Sequence, residues 1–149
     1  MPKGKVIISF LVLILASICL TTHVYAGTFD YSTNGTYIDV DELWIHTTLI
    51  SADIHVTGNG AITMSGSVLG NPGTSSITVN AVLERQNSNG SFSSTASFSN
   101  IRATGAIWDW TRQHTVARGH TYRLTLTATV TRNGTNEVVT ASSRPIWVG

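Results

Sequence analysis

From residue 49 onward the chain alternates apolar and polar positions in short runs, each broken by glycine, asparagine or proline. Ile50, Ala52, Ile54 and Val56 share one phase, and Gly58–Asn59–Gly60 follows as a hairpin turn. Ile62, Met64, Gly66 and Val68 form the next run, ended by Gly70–Asn71–Pro72–Gly73. Ile77, Val79, Ala81 and Leu83 form a third, closed by Asn87–Ser88–Asn89–Gly90. A serine-rich run sets Phe92, Ala96 and Phe98 in one phase, and Ala106, Trp108 and Trp110 open another that continues to Val116. The cleanest run is Tyr122, Leu124, Leu126, Ala128 and Val130, interleaved with Arg123 and three threonines. Asn133–Gly134 ends it, and Glu137–Ser143 returns. Pro145 introduces a terminal Ile146–Trp147–Val148, which suits an edge strand because proline lacks an amide hydrogen for a ladder.

Period two is the mark of strands with one face on a core and one in water. Beyond residue 26 no stretch repeats its apolar residues every 3.6 positions. Short strands with turn signals every 8–12 residues predict an all-β fold. The expectation is an immunoglobulin-like antiparallel β-sandwich of about seven strands. Runs beginning near 50, 62 and 104 are assigned to one sheet, and those near 77, 92, 122 and 137 to the other. Tyr122 then opens the sixth strand, behind the turn residue Gly119. There a tyrosine hydroxyl bonds to backbone just upstream and locks the corner.

The first 26 residues do not belong to this pattern. Two lysines precede the apolar run Val6–Leu20, and Val24–Tyr25–Ala26 is a small-x-small cleavage pattern. This is the layout of a secretory signal peptide over 1–26, and the apolar run is shorter than the roughly 20 residues a spanning helix needs. Cys19 lies inside it behind Ile18 rather than a small residue, which argues against a lipid anchor. The product from Gly27 has no cysteine, so an exported bacterial protein is expected, free of the membrane after cleavage and released to the extracellular medium. Residues 27–47 read as an N-terminal arm or edge segment, and 48–149 as the β-sandwich domain.

Charge is unevenly spread. Six acids precede Arg85 in the product without a single lysine or arginine, and seven arginines against two acids follow from there. The arginines are diluted among serine and threonine, so nucleic acid is not the expected partner. Two consequences remain open: acidic and basic strands neutralise each other inside the fold, or they drive weak head-to-tail self-association.

The short motifs Val82–Leu83–Glu84–Arg85, Asn89–Gly90–Ser91–Phe92 and Val116–Ala117–Arg118–Gly119–His120–Thr121–Tyr122–Arg123 recur in a recognisable order. They are followed by Gly134, Glu137, Ser143 and the closing Ile146–Trp147–Val148–Gly149. From Leu43 to Gly149 the chain resembles a group of uncharacterised small secreted β-sandwich proteins of Gram-positive bacteria. The resemblance implies export and a sandwich. It carries no activity and no site residues.

Candidate chemistry is sparse. No GxSxG elbow, P-loop, dinucleotide fingerprint or HExxH motif is present, and no catalytic residue, metal site or cofactor is expected. His46, His55, His114 and His120 form no metal-ligand spacing. Asp39–Val40–Asp41–Glu42 lacks the glycine and terminal acid of a calcium loop and reads as a solvated acidic edge. Glu84 and Arg85 alternate sides at a strand end, each suited to pair with a charge on a neighbouring strand, and Arg123 with Glu137 reads as a similar cross-strand pair. Trp108 and Trp110 share a face with Arg112, and with Trp44 they are the candidate ligand-binding residues, since paired aromatics stack on sugar rings. The same phase also places both rings in the core opposite Tyr122 and Leu124, so the sequence leaves both readings open. The expected function is non-enzymatic surface contact with an envelope or extracellular partner. A carbohydrate-binding module, or a small secreted hydrolase or inhibitor, are the alternatives.

Overall fold

A computed structural model describes residues 37–39 and 43–149. The segment 1–26 read as a signal peptide, residues 27–36 of the expected arm 27–47 and most of the acidic run 39–42 lie outside the described residues.

The fold is an all-β, immunoglobulin-like sandwich of two antiparallel sheets. Its strands are β1 (Tyr37–Asp39), β2 (Thr47–Val56), β3 (Ala61–Gly70), β4 (Thr74–Gln86), β5 (Phe92–Thr104), β6 (Ile107–Thr115), β7 (His120–Arg132), β8 (Thr135–Ser142) and β9 (Ile146–Val148). One sheet runs β1–β2–β3–β6 and the other β5–β4–β7–β8, with β9 also on β7. The seven long strands divide between the sheets as the hydrophobic phases predict. β1 lies within the segment expected to be an arm or edge and pairs with β2 over three residues. β9 extends the edge of β7 that β8 leaves free, with Ile146 opposite Tyr122 and Val148 opposite His120.

Apolar phases converge because each sheet can hide one face only against the other. Ile50, Ile54, Ile62, Met64, Val68 and Trp108 meet Ile77, Val79, Leu83, Tyr122, Leu124, Leu126 and Val130, all at 2 % exposure or less. Gly66 interrupts the inward row of β3 for a steric reason. A Cβ there would lie 2.3 Å from Leu126 Cδ1 and 3.3 Å from Trp108 Cζ3, so the missing side chain makes room for both. The Tyr122 hydroxyl donates to the Ala117 carbonyl at 2.9 Å, which ties the β6–β7 connection to the start of β7. Asn133 and Gly134 both have positive φ, 51° and 78°, the conformation of a two-residue hairpin turn.

One phase prediction fails, at β5. Glu84 faces Ser94 but Leu83 faces Ala96, so Thr95 is an extra residue in the ladder. This bulge turns Phe92 to the outer face while Ala96 and Phe98 stay inward. A second irregularity, between the pairs Ala81–Phe98 and Val79–Ile101, contains Asn100 at a φ of 59° and keeps Ile101 and Ala103 inward. The alternation rule assumes an unbroken pleat, and β5 breaks it twice.

Candidate functional site

The tryptophans singled out by sequence are not one site. Trp108 is 2 % exposed and belongs to the core, which removes it as a ligand platform. Trp110 is half-buried, with ring centroids 6.3 Å from Trp108 in a stacked arrangement and 5.7 Å from Phe98 of the facing sheet. Arg112 places its guanidinium carbon 4.5 Å from the Phe98 ring centroid, and His114 meets the same ring edge-on at 6.0 Å. Trp110, Arg112, His114 and Phe98 therefore close the side of the sandwich between the edge strands β5 and β6. Their faces are spent on one another. Trp44 is half-buried against the core in the segment before β2, at the opposite end of the sandwich from the C-terminal Trp147.

Of the expected charge pairs, Glu84 finds an arginine on the neighbouring strand, whereas Arg123 with Glu137 does not form. Glu84 lies opposite Arg123 and accepts from its Nε at 2.7 Å and from the Thr125 hydroxyl at 2.7 Å. Desolvation pushes the Glu84 pKa up, but Arg123 and Thr125 outweigh it and hold the carboxyl below its usual value. Arg123 also covers the outward ring of Phe92 at 4.0 Å. Glu137 does not pair with Arg123. It clasps the segment before β2, accepting from Ile45 N at 2.8 Å, His46 N at 3.0 Å and Thr47 Oγ1 at 2.7 Å. Desolvation raises the Glu137 pKa, and these three donors, helped by the His46 charge, more than offset it and set it below the usual value.

Two concave surfaces among the described residues bear on the site. The first is a hollow of about 270 Å³ on the outer face of β2, β3 and β6, lined by Ser51, Asp53, Ser65, Ser67, Asp109 and Thr111. Its carboxylates already have partners: Ser67 donates to Asp109, and His55 Nε2 lies 2.5 Å from Asp53 Oδ2. Asp53 Oδ1 is buried with no hydrogen-bond partner. No group of three or more His, Cys, Asp or Glu side chains among the described residues converges as a metal site would require.

The second is larger, about 450 Å³, and lies at the end of the sandwich where the β4–β5 hairpin, the β6–β7 connection and β9 meet. Arg85, Gln86, Asn87, His120, Thr121 and Trp147 line it. The register explains how they assemble. Arg85 lies opposite Tyr122, and Thr121 lies opposite Trp147, which brings β4, β7 and β9 to one rim. Ile146 and Val148 occupy the inward phase of β9, so Trp147 faces outward and is 63 % exposed. A flat aromatic ring thus borders amide, hydroxyl, imidazole and guanidinium groups.

The reading of β9 as an edge strand did not mark Trp147 as a site, although the alternation Ile146–Trp147–Val148 already puts it outside. Arg85 also left a signal: it continues the inward phase of Val79, Ala81 and Leu83, an unusual place for a cation. Compared with protein-family models, curated proteins and solved structures, the chain finds no match in any of the three.

Proposed function

We propose that this is an exported, non-enzymatic β-sandwich protein that acts by binding, and that its contact surface is the end groove beside Trp147, with a saccharide as ligand. The observation that supports this reading is the exposed Trp147 ring bordering a groove of otherwise polar lining. A sugar ring has an apolar face and a hydroxylated rim. An open aromatic plane takes the first, and the Thr121 hydroxyl, with the amide oxygen that Gln86 keeps while its nitrogen donates to the Gly90 carbonyl, is suited to the second. The charged and layered aromatic cluster around Trp110 has no such open face.

Export follows from the reading of residues 1–26, and the absence of catalytic motifs from the sequence accords with a binding role. The test is a glycan array probed with the full chain, followed by titration of any hit against Trp147→Ala and Trp110→Phe. Binding lost in Trp147→Ala and retained in Trp110→Phe is the expected result. A chain that binds no saccharide, or one whose binding ignores Trp147, overturns the proposal.

A further inference from the structure

Arg85 is the arginine of this groove, and among the described residues the fold makes no use of its guanidinium. Most of the other arginines have structural partners. Arg123 pairs with Glu84, Arg132 donates to the Pro72 and Ile45 carbonyls, and Arg118 donates to the Gly149 carbonyl. Arg112 lies over Phe98, and Arg144 also has contacts, while Arg102 stands exposed on the edge strand β5. Arg85 is half-buried, yet its guanidinium makes no hydrogen bond, ion pair or ring contact among the described residues. It borders two hollows at once. One is the groove of Trp147, and the other is a smaller one of about 220 Å³ lined by Thr95, His114 and Tyr122. Neither hollow has a carboxylate in its lining. The neighbouring acid, Glu84, is committed to Arg123 and Thr125 on the other face of the strand.

A guanidinium offers five donors in a planar fork and no acceptor, and keeping it partly out of water without a partner is unfavourable. The group that best satisfies it is planar, anionic and bidentate. We propose that the saccharide bound in this groove carries a carboxylate, as a uronic acid does, and that Arg85 reads it while Trp147 stacks on the ring. This rests on the saccharide reading above and adds the class of sugar. Charge complementarity carries it: a cation with no partner among the described residues, in a groove with no acid among its described lining, beside the exposed ring.

The experiment compares three oligosaccharides of equal length by calorimetric titration of the full chain: oligogalacturonate, the neutral galactose oligomer and a sulfated galactose oligomer. Oligogalacturonate is expected to bind tightest, with the neutral oligomer weaker by roughly ten- to a hundredfold, the scale of a hydrogen bond to a charged group. Arg85→Gln should remove that preference and leave neutral binding in place, whereas Trp147→Ala should weaken all three. Arg85→Lys, which keeps the charge without the fork, should bind oligogalacturonate several-fold more weakly at unchanged melting temperature. Equal affinity for charged and neutral oligomers overturns the carboxylate assignment while leaving the saccharide reading intact. So does a preference that survives Arg85→Gln, or tighter binding of the sulfated oligomer. Failure of all three to bind, together with a silent array, overturns the saccharide reading itself.

Discussion

The two ends of the sandwich are built from similar residues and finish in opposite ways. At one end the segment before β2 meets the β3–β4 turn and the β7–β8 hairpin, and a network of side-chain bonds laces them together, although His46 Nδ1 is buried without a partner among the described residues. Glu137 accepts three bonds from residues 45–47, and Asn71 donates to the Ile45 carbonyl at 3.0 Å and accepts from the Thr48 hydroxyl at 2.6 Å. Asn71 N donates to the His46 carbonyl at 2.7 Å, and Arg132 Nε to the Pro72 carbonyl at 2.8 Å. At the other end, around the groove of Trp147, Arg85 has no partner among the described residues and a tryptophan faces outward. Both ends carry an arginine, a histidine and asparagine-rich turns. The difference lies at the arginines, in whether bonding capacity is spent inside the chain: Arg132 donates to the Pro72 and Ile45 carbonyls, whereas Arg85 makes no hydrogen bond, ion pair or ring contact among the described residues. Where it is spent, side chains act as structure, and where it is left over they are available to a ligand.

The largest effect expected from this contrast is at Glu137. Glu137→Ala removes the acceptor of two backbone amides and one hydroxyl, all tied to a segment about 90 positions earlier in the chain. Hydrogen bonds to a charged group contribute about 1.5–3 kcal/mol each when buried. Since Ile45 is 67 % exposed and water competes there, a loss of about 2–3 kcal/mol in denaturant titration is expected for the set. Binding at the Trp147 groove should not change. If Glu137→Ala is neutral, the laced end is not what holds the early segment to the second sheet.

Acid titration sharpens the same point. Glu137 and Glu84 both have carboxyl pKa values lowered in the folded state from the usual 4.5. Ionised, each is bonded in the native fold and solvated in the unfolded chain. Their contribution is therefore fully present above the unfolded carboxylate range and is lost as pH falls through the lower folded values. Stability should decline below about pH 4.5. Glu137→Gln should flatten that decline, and adding Glu84→Gln should flatten it further. A pH dependence unaltered in the double variant would mean that neither carboxylate is linked to folding.

Tyr122 marks the structural part of the open end. Its ring is buried and only its hydroxyl is at issue, bonded to the carbonyl of the exposed Ala117. Tyr122→Phe should cost about 1 kcal/mol, since water can take over the freed carbonyl. The measurement is the shift in denaturant midpoint at constant slope.

Much of this was legible in the sequence because its causes are local. Alternation names the strands, and the phases of Ile50, Ile77 and Leu124 name the inward faces. The turn pattern was enough to divide the seven long strands between the sheets, and Tyr122 announced its own hydrogen bond. What was hidden depends on pairing partners distant in the chain. Nothing in the serine-rich run shows that Thr95 bulges, so Phe92 appeared to share a face with Phe98. Glu137 could not be assigned to Ile45, His46 and Thr47 without knowing that β8 runs beside the segment before β2. Trp108 and Trp110 drew attention as a pair, but alternation alone cannot say whether a shared face meets water or a second sheet. Trp147, flanked by two inward aliphatics, was the more readable outward ring.

The smallest expected effect decides whether the open end is a site at all. Trp147 lies outside the core at 63 % exposure, and Arg85 has no bond to lose among the described residues, so Trp147→Ala and Arg85→Gln should each leave stability within about 0.5 kcal/mol. Arg123→Gln is the matched control on the next outward row, because it breaks the 2.7 Å bond to Glu84 and uncovers Phe92. It should cost more, about 1 kcal/mol, reduced from the buried-pair scale because both groups are partly exposed. An Arg85→Gln loss as large as that of Arg123→Gln would show that Arg85 is packed for the fold through its aliphatic stem. The two ends would then differ in appearance only. A silent Arg85 in the stability assay together with a changed one in the saccharide titration would separate a residue kept for binding from residues kept for folding.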